Sequence, residues 1–178
     1  NNVDLINKKE IKEALENISL EFIFNSTSGN SEIYLNSENV EYLIRDMFIA
    51  EKVSDVAAIK EVREFAVAQQ QKMGTKKGIV MDGRDIGTVV FPKAELKLFM
   101  TADSAIRVQR RFKELYEKNP NITIEEVKDN LELRDYIDSN REISPLRRAE
   151  DAIELDNTNL SESQQFLKAI DMAKEKIY

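Results

Sequence analysis

Hydrophobic and polar positions divide the chain into short elements of alternating type. Lys8 to Asn17 has the spacing of a short helix. Ser19-Leu20-Glu21-Phe22-Ile23-Phe24 alternates as a strand does, Asn25 to Asn30 is turn-rich around Gly29, and Ile33-Tyr34-Leu35 makes a second strand, so the stretch reads as a hairpin-like unit. Asn39 to Phe48 reads as a strand end followed by a helix. Asp55 to Lys72 is predicted helical, with Ser54 as N-cap and Gly74 past its end. Ile79-Val80-Met81 is a short apolar run of the kind that forms a parallel strand covered on both faces. Leu96 to Met100 is a further strand, and a helix capped by Asp103 runs from Ser104 to Glu117, closing before Asn119-Pro120. Thr123 and Glu126 form a capping-box signature for a helix that should fade near Pro145. Ala152 to Asp156 is the last strand. Ser161 and Gln164 form a second capping box, opening a helix with Phe166, Leu167, Ile170, Ala173 and Ile177 on one apolar stripe. Strands separated by helices of this length predict an α/β fold, a parallel sheet flanked by helices.

The length of 178 residues, 42% of them hydrophobic, suits one domain with a small appendage, and the strand-rich first third is the natural appendage. No run approaches the ~18 apolar residues a membrane span needs. The chain starts Asn1-Asn2-Val3-Asp4, with neither an initiator Met nor a secretory pattern, and so reads as part of a longer protein. A net charge of −7 argues against non-specific nucleic-acid binding through the overall field, while local arginine clusters can still hold phosphate. The absence of Cys fits a reducing compartment such as the cytoplasm. With no His either, a Ser-His-Asp triad, a cysteine nucleophile and any thiolate or imidazole metal site are excluded. Phosphoryl transfer survives, because it depends on positioning and cationic groups more than on a protein nucleophile.

Two patterns carry candidate chemistry. Asp82, Arg84 and Asp85 lie between Gly83 and Gly87 at the carboxyl end of the 79–81 run, where open α/β sheets bind ligands, although alone the segment equally suits a polar turn. In the helix after Thr123 the stripe Ile124, Val127, Leu131 continues through Arg134, Asp138 and Arg141. Charges at core-facing positions must be paired or bound to a ligand, so this face should open onto a polar cleft; solvated ion pairs at a helix end are the alternative. Arg63 shares a stripe with Val56, Ile59 and Ala66, as a snorkelling rim residue or a ligand group. Arg107, Arg110 and Arg111 crowd one side of the Ser104 helix, which suits either a phosphate clamp or a solvated basic face. The phosphate-loop pattern G-x-x-x-x-G-K-[ST] is missing: Gly78 and Gly83 have the spacing, but Arg84 and Asp85 follow.

The segments Met81-Asp-Gly-Arg-Asp-Ile-Gly-Thr-Val-Val-Phe-Pro92, Arg107-Val-Gln-Arg-Arg111, Arg134-Asp-Tyr-Ile-Asp-Ser-Asn-Arg141 and Ala149-Glu-Asp-Ala-Ile-Glu-Leu-Asp156 resemble the bacterial cytidylate (CMP) kinase family. That resemblance implies a P-loop nucleoside monophosphate kinase fold with a strand-rich inserted CMP-binding subdomain, here 16–54, a core of 1–15 and 55–178, and a helical lid of about 107–121. It implies that Ser54, Arg63 and Asp85 read the cytosine edge and that Arg134 and Asp138 hold the ribose hydroxyls. Arg84 and Arg141 would sit near the acceptor phosphate, and Arg110 and Arg111 would be lid arginines facing the transferring phosphoryl group. Arg84, Arg110, Arg111, Arg134 and Arg141 are thus the expected catalytic cations, with no protein metal ligand. ATP would be the donor with Mg²⁺, CMP or dCMP the acceptor, and the protein a cytoplasmic monomer of pyrimidine metabolism without nucleic-acid or membrane partners. The family begins with a strand and phosphate loop that do not occur after Asn1, so the chain as written is expected to bind CMP weakly and not to turn over. A kinase of another monophosphate such as UMP, and a non-catalytic nucleotide-binding module, are the alternatives.

Overall fold

The computed structural model describes residues 5–45, 47–117 and 119–177. Its elements run α1 (Lys8–Glu16), β1 (Leu20–Asn25), β2 (Asn30–Leu35), β3 (Glu38–Asn39), α2 (Met47–Ala58), α3 (Lys60–Met73), β4 (Leu98–Thr101), α4 (Ser104–Tyr116), α5 (Ile124–Asn140), β5 (Ile153–Asp156) and α6 (Glu162–Ile177). The chain divides after Ile79 into two compact units, with Arg141–Ile143 belonging to the first.

In the first unit, β1 and β2 form the expected antiparallel hairpin, registered from Leu20 opposite Leu35 to Asn25 opposite Asn30, and β3 extends the sheet along β2. Gly29 makes the turn at φ +72°, a conformation that glycine adopts without steric cost. The helix expected over 55–72 is instead two. Ile59 takes an extended conformation (φ −66°, ψ 126°), its amide closes α2 on Val56 O at 3.2 Å, and its own carbonyl accepts from Arg63 N at 2.9 Å to start α3. One extended residue lets α2 fold back onto α3, which also packs on α1. Ser54 is consequently not an N-cap; it lies within α2, and it is buried.

In the second unit, β4 and β5 pair in parallel, Leu98 opposite Ile153 and Thr101 opposite Asp156, with α4 and α5 in the connection between them. This gives the α/β class with a small parallel sheet. Leu155, Val108, Leu115, Ile122 and Val127 bury their side chains. Asp103 caps α4 by accepting from Ala105 N at 2.8 Å. The first capping box closes as read, Thr123 N donating to Glu126 Oε2 at 2.8 Å and Glu126 N to Thr123 Oγ1 at 3.2 Å. The second closes between Ser161 and Gln164 at 2.9 and 3.3 Å.

Two expectations fail here. Ile79-Val80-Met81 forms no strand, and Val80 is fully exposed. A strand exists only when a neighbour completes its ladder, and neither β4 nor β5 pairs with this run. The α6 stripe is not a core face either, since Phe166 is 63% and Leu167 58% exposed. Gln165, directly before them in sequence, holds the helix instead, its Oε1 accepting from Asn157 Nδ2 at 2.5 Å. No helix among the described residues is long and apolar enough to cross a membrane.

Candidate functional site

The residues that follow Met81 are shaped by backbone geometry before any ligand is considered. Asp85 O accepts from Val89 N at 2.9 Å and from Thr88 N and Val90 N at 3.3 Å, and Ile86 O accepts from Phe91 N at 2.7 Å, making Ile86–Val90 a π-helical turn. Such wide turns are uncommon and recur at functional sites. At Gly83 a Cβ would stand 2.9 Å from Ile86 Cγ1, so a larger residue would force the Ile86 side chain to shift. The far end of the turn is stapled by Lys97, whose buried Nζ donates to Pro92 O at 2.6 Å and to both carboxylate oxygens of Asp151 at 2.8 Å. That bond from Lys97 holds the Asp151 carboxyl below its ordinary range. Asp85 itself is only 4% exposed, unusual for a carboxylate and consistent with a role inside a site.

Arg84 reaches from this loop to α5. Its Nε donates to Asp138 Oδ2 at 3.0 Å, and its Nη2 stands 3.7 Å from Asp135 Oδ1. Asp138 is 4% exposed, and a carboxylate so deeply buried costs several kcal/mol to desolvate unless a cation with good geometry offsets it. Arg107 of α4 completes the group, its Nη1 donating to Asp135 Oδ2 at 2.6 Å. Asp135 and Asp138 lie three apart on α5, which puts both on one side of the helix.

Arg134 sits among these charges. Burial, and then the positive charge of Arg84, lower its pKa, and Arg111 acts in the same direction while Asp138 and Asp135 oppose it. Its Nε is buried without a hydrogen-bond partner among the described residues. Arg84, Arg107 and Arg134 thus face two carboxylates, an excess of positive charge that favours an anion at the exposed side of the group. No group of three or more acidic, His or Cys side chains that could hold a metal ion occurs among the described residues.

The structure brings Arg84, Arg134 and Asp138 together in the second unit, with Asp85 in the adjoining loop. Arg111 pairs with Glu114 at 2.8 Å, and its field reaches Arg134. Arg110 has a different employment: Nη1 donates to Asn157 Oδ1 at 2.9 Å, and Nη2 to the carbonyls of Asn157, Thr158 and Leu160 at 2.8, 3.3 and 3.3 Å, tying α4 to the loop before α6. Lys118, within the expected lid, lies outside the described residues. Ser54 on α2, half-buried Arg63 on α3 and buried Arg141 belong to the first unit. An open cleft of about 500 Å³ in that unit, lined by Ile11, Ile59, Glu61 and Ile143 among others, contains none of the expected site residues. Sequence reasoning did not single out Asp135. Its spacing from Asp138 was the available signal, but it lies one residue off the apolar stripe that drew attention to Arg134 and Asp138.

The cytidylate kinase family model matches residues 1–175. A cytidylate kinase of Flavobacterium johnsoniae is 53% identical over 174 residues, covering 98% of this chain and 76% of that protein. One from Bacteroides thetaiotaomicron is 54% identical over 164 residues, covering 92% and 72%, and one from Cytophaga hutchinsonii is 49% identical over 163 residues, covering 92% and 70%. A family match over nearly the whole length, joined to an arginine–aspartate cluster built from the same segments that carry the resemblance, places the chain in the cytidylate kinase family.

Proposed function

We propose that the protein is a cytidylate kinase that transfers the γ-phosphoryl group of ATP to CMP or dCMP, giving ADP and CDP or dCDP. The observation that carries this reading is the Arg84–Asp138 pair with Arg107, Arg134 and Asp135 around it, in a chain about half identical to proteins of that activity. Arg84 and Arg134 neutralise phosphate oxygens, and charge on those oxygens is what arginine donors stabilise as the transfer proceeds. Asp138 accepts from ribose hydroxyls while orienting Arg84. Asp85 accepts from the exocyclic amine of cytosine, as acidic side chains accept from cytosine N4. Uracil presents a carbonyl oxygen at the same position, which a carboxylate repels, so this one residue favours cytosine over uracil.

In the first unit, Ser54 and Arg63 are assigned to base reading and Arg141 to the acceptor phosphate. Arg110 and Arg111 are assigned to the phosphoryl-facing side of a lid spanning about 107–121, Arg110 by leaving its present carbonyl partners. The assignment extends to the division into a P-loop kinase core (1–15 and 55–178) and a CMP-binding insert (16–54), and to a monomer acting in the cytoplasm. Mg²⁺ would accompany the ATP and help neutralise the charge that develops on the phosphate oxygens.

Calorimetric titration of the intact protein with CMP and with UMP tests the base assignment. CMP should bind at least about tenfold more tightly, a difference of ~1.4 kcal/mol, and Asp85→Ala should erase the preference. Equal affinities in the wild type would overturn it.

A further inference from the structure

Asp135 has a position that none of the assigned roles explains. It is half-buried at the junction of three elements, and one of its oxygens accepts from Arg107 Nη1 at 2.6 Å while the other stands 3.7 Å from Arg84 Nη2. Arg107 comes from α4 and Arg84 from the loop after Met81, and both side chains are about one-third exposed. Their like charges repel, and long side chains exposed to this degree sample many rotamers unless held. Asp138 already anchors Arg84 through Nε, but Arg107 has only Asp135 among the described residues. The contacts use one end of each fork. Nη1 of Arg84, and Nε and Nη2 of Arg107, have no protein partner among the described residues and are available to an incoming anion.

We propose that Asp135 is a positioning residue that ties the guanidinium of Arg107 to that of Arg84, holding the two as one preassembled clamp for the phosphoryl groups. The proposal rests on the kinase reading above, and adds Arg107 to the groups that meet the anion and Asp135 to those that act through them. Preassembly matters because an arginine that must be ordered during the reaction loses the advantage of fixed donors aimed at developing charge. Asn at 135 has nearly the same shape but no charge, and its amide N–H groups would face two guanidiniums that need an acceptor. Glu keeps the charge on a longer stem.

The test is a double-mutant cycle in the intact protein, with CMP, ATP and Mg²⁺. Asp135→Asn should lower kcat about tenfold or more with less than about a twofold change in KM for CMP, and Asp135→Glu should recover part of the loss. Arg107→Gln should lower kcat comparably, and adding Asp135→Asn to it should cost less than about twofold more, because the carboxylate then has no Arg107 to place. An undiminished Asp135→Asn effect in the Arg107→Gln background would overturn the proposal, as would an unchanged kcat in either single variant. If the Asn variant does not fold, the same cycle with Asp135→Glu decides by the same criterion of additivity. Failure of the wild type to phosphorylate CMP would count against the kinase reading instead. The cycle is then run by calorimetry with inorganic pyrophosphate, where Asp135→Asn should weaken binding only when Arg107 is present, and an equal effect with and without Arg107 would overturn the proposal.

Discussion

At the scale of single residues, the site is a problem of buried charge. Asp138 survives at 4% exposure because Arg84 Nε reaches it at 3.0 Å, and the same contact holds the Arg84 side chain in place. Replacing Asp138 by Ala should weaken CMP binding by about 1–3 kcal/mol, the range for hydrogen bonds to charged groups, through lost ribose contacts and a loosened Arg84. Calorimetry checks this, and unchanged affinity in a folded variant would remove α5 from the nucleotide site. Asp138, Arg134 and Arg84 were legible in the sequence because a charge on an apolar stripe, or at the end of an apolar run, violates the local pattern. Asp135 violates nothing, being an ordinary polar residue beside the stripe, and only coordinates reveal that two arginines converge on it. Arg110 shows the converse. Its charge and its spacing from Arg107 and Arg111 suited a phosphate clamp, but sequence could not show that in this structure it binds the carbonyls of Asn157, Thr158 and Leu160.

Among elements, several specified by local chemistry formed where the sequence placed them, the Ser54 cap excepted. Capping boxes opened α5 and α6, Asp103 capped α4, and the Gly29 turn joined β1 to β2. The α5 cap also makes a pH prediction. Backbone and side-chain hydrogen bonds from Thr123 hold the Glu126 carboxyl below its ordinary range. A depressed folded-state pKa contributes stability that is present above the unfolded pKa and lost as pH falls through the folded one. Glu126→Gln should therefore lower the neutral plateau and flatten the acid side of the stability curve, the variant and wild type converging as pH falls. Thermal unfolding from about pH 3 to pH 7 checks this, and parallel curves for wild type and variant would contradict it. Elements that depend on partners were less legible. Ile79-Val80-Met81 has the composition of a buried strand, but pairing belongs to two segments together, and no second one pairs with it among the described residues. The break at Ile59 follows from α3 packing on both α1 and α2, a tertiary demand that no residue between 55 and 72 announces.

Across the whole molecule, a chain of net charge −7 gathers Arg84, Arg107 and Arg134 around Asp135 and Asp138. An acidic surface with a local cationic cluster discourages non-specific polyanion binding while leaving a place for a small phosphate ester. The α/β class was legible from the alternation of strands and helices; the division of the chain into two units after Ile79 was not, because it depends on which elements pack together. Family membership and the arginine–aspartate cluster converge on a single activity, whose most direct measure is initial-rate phosphorylation of CMP, dCMP and UMP by the intact protein with ATP and Mg²⁺. kcat/KM for CMP and dCMP should be at least about tenfold above that for UMP, within reach of one base-reading hydrogen bond. Equal rates for CMP and UMP, or no transfer to CMP, would contradict it.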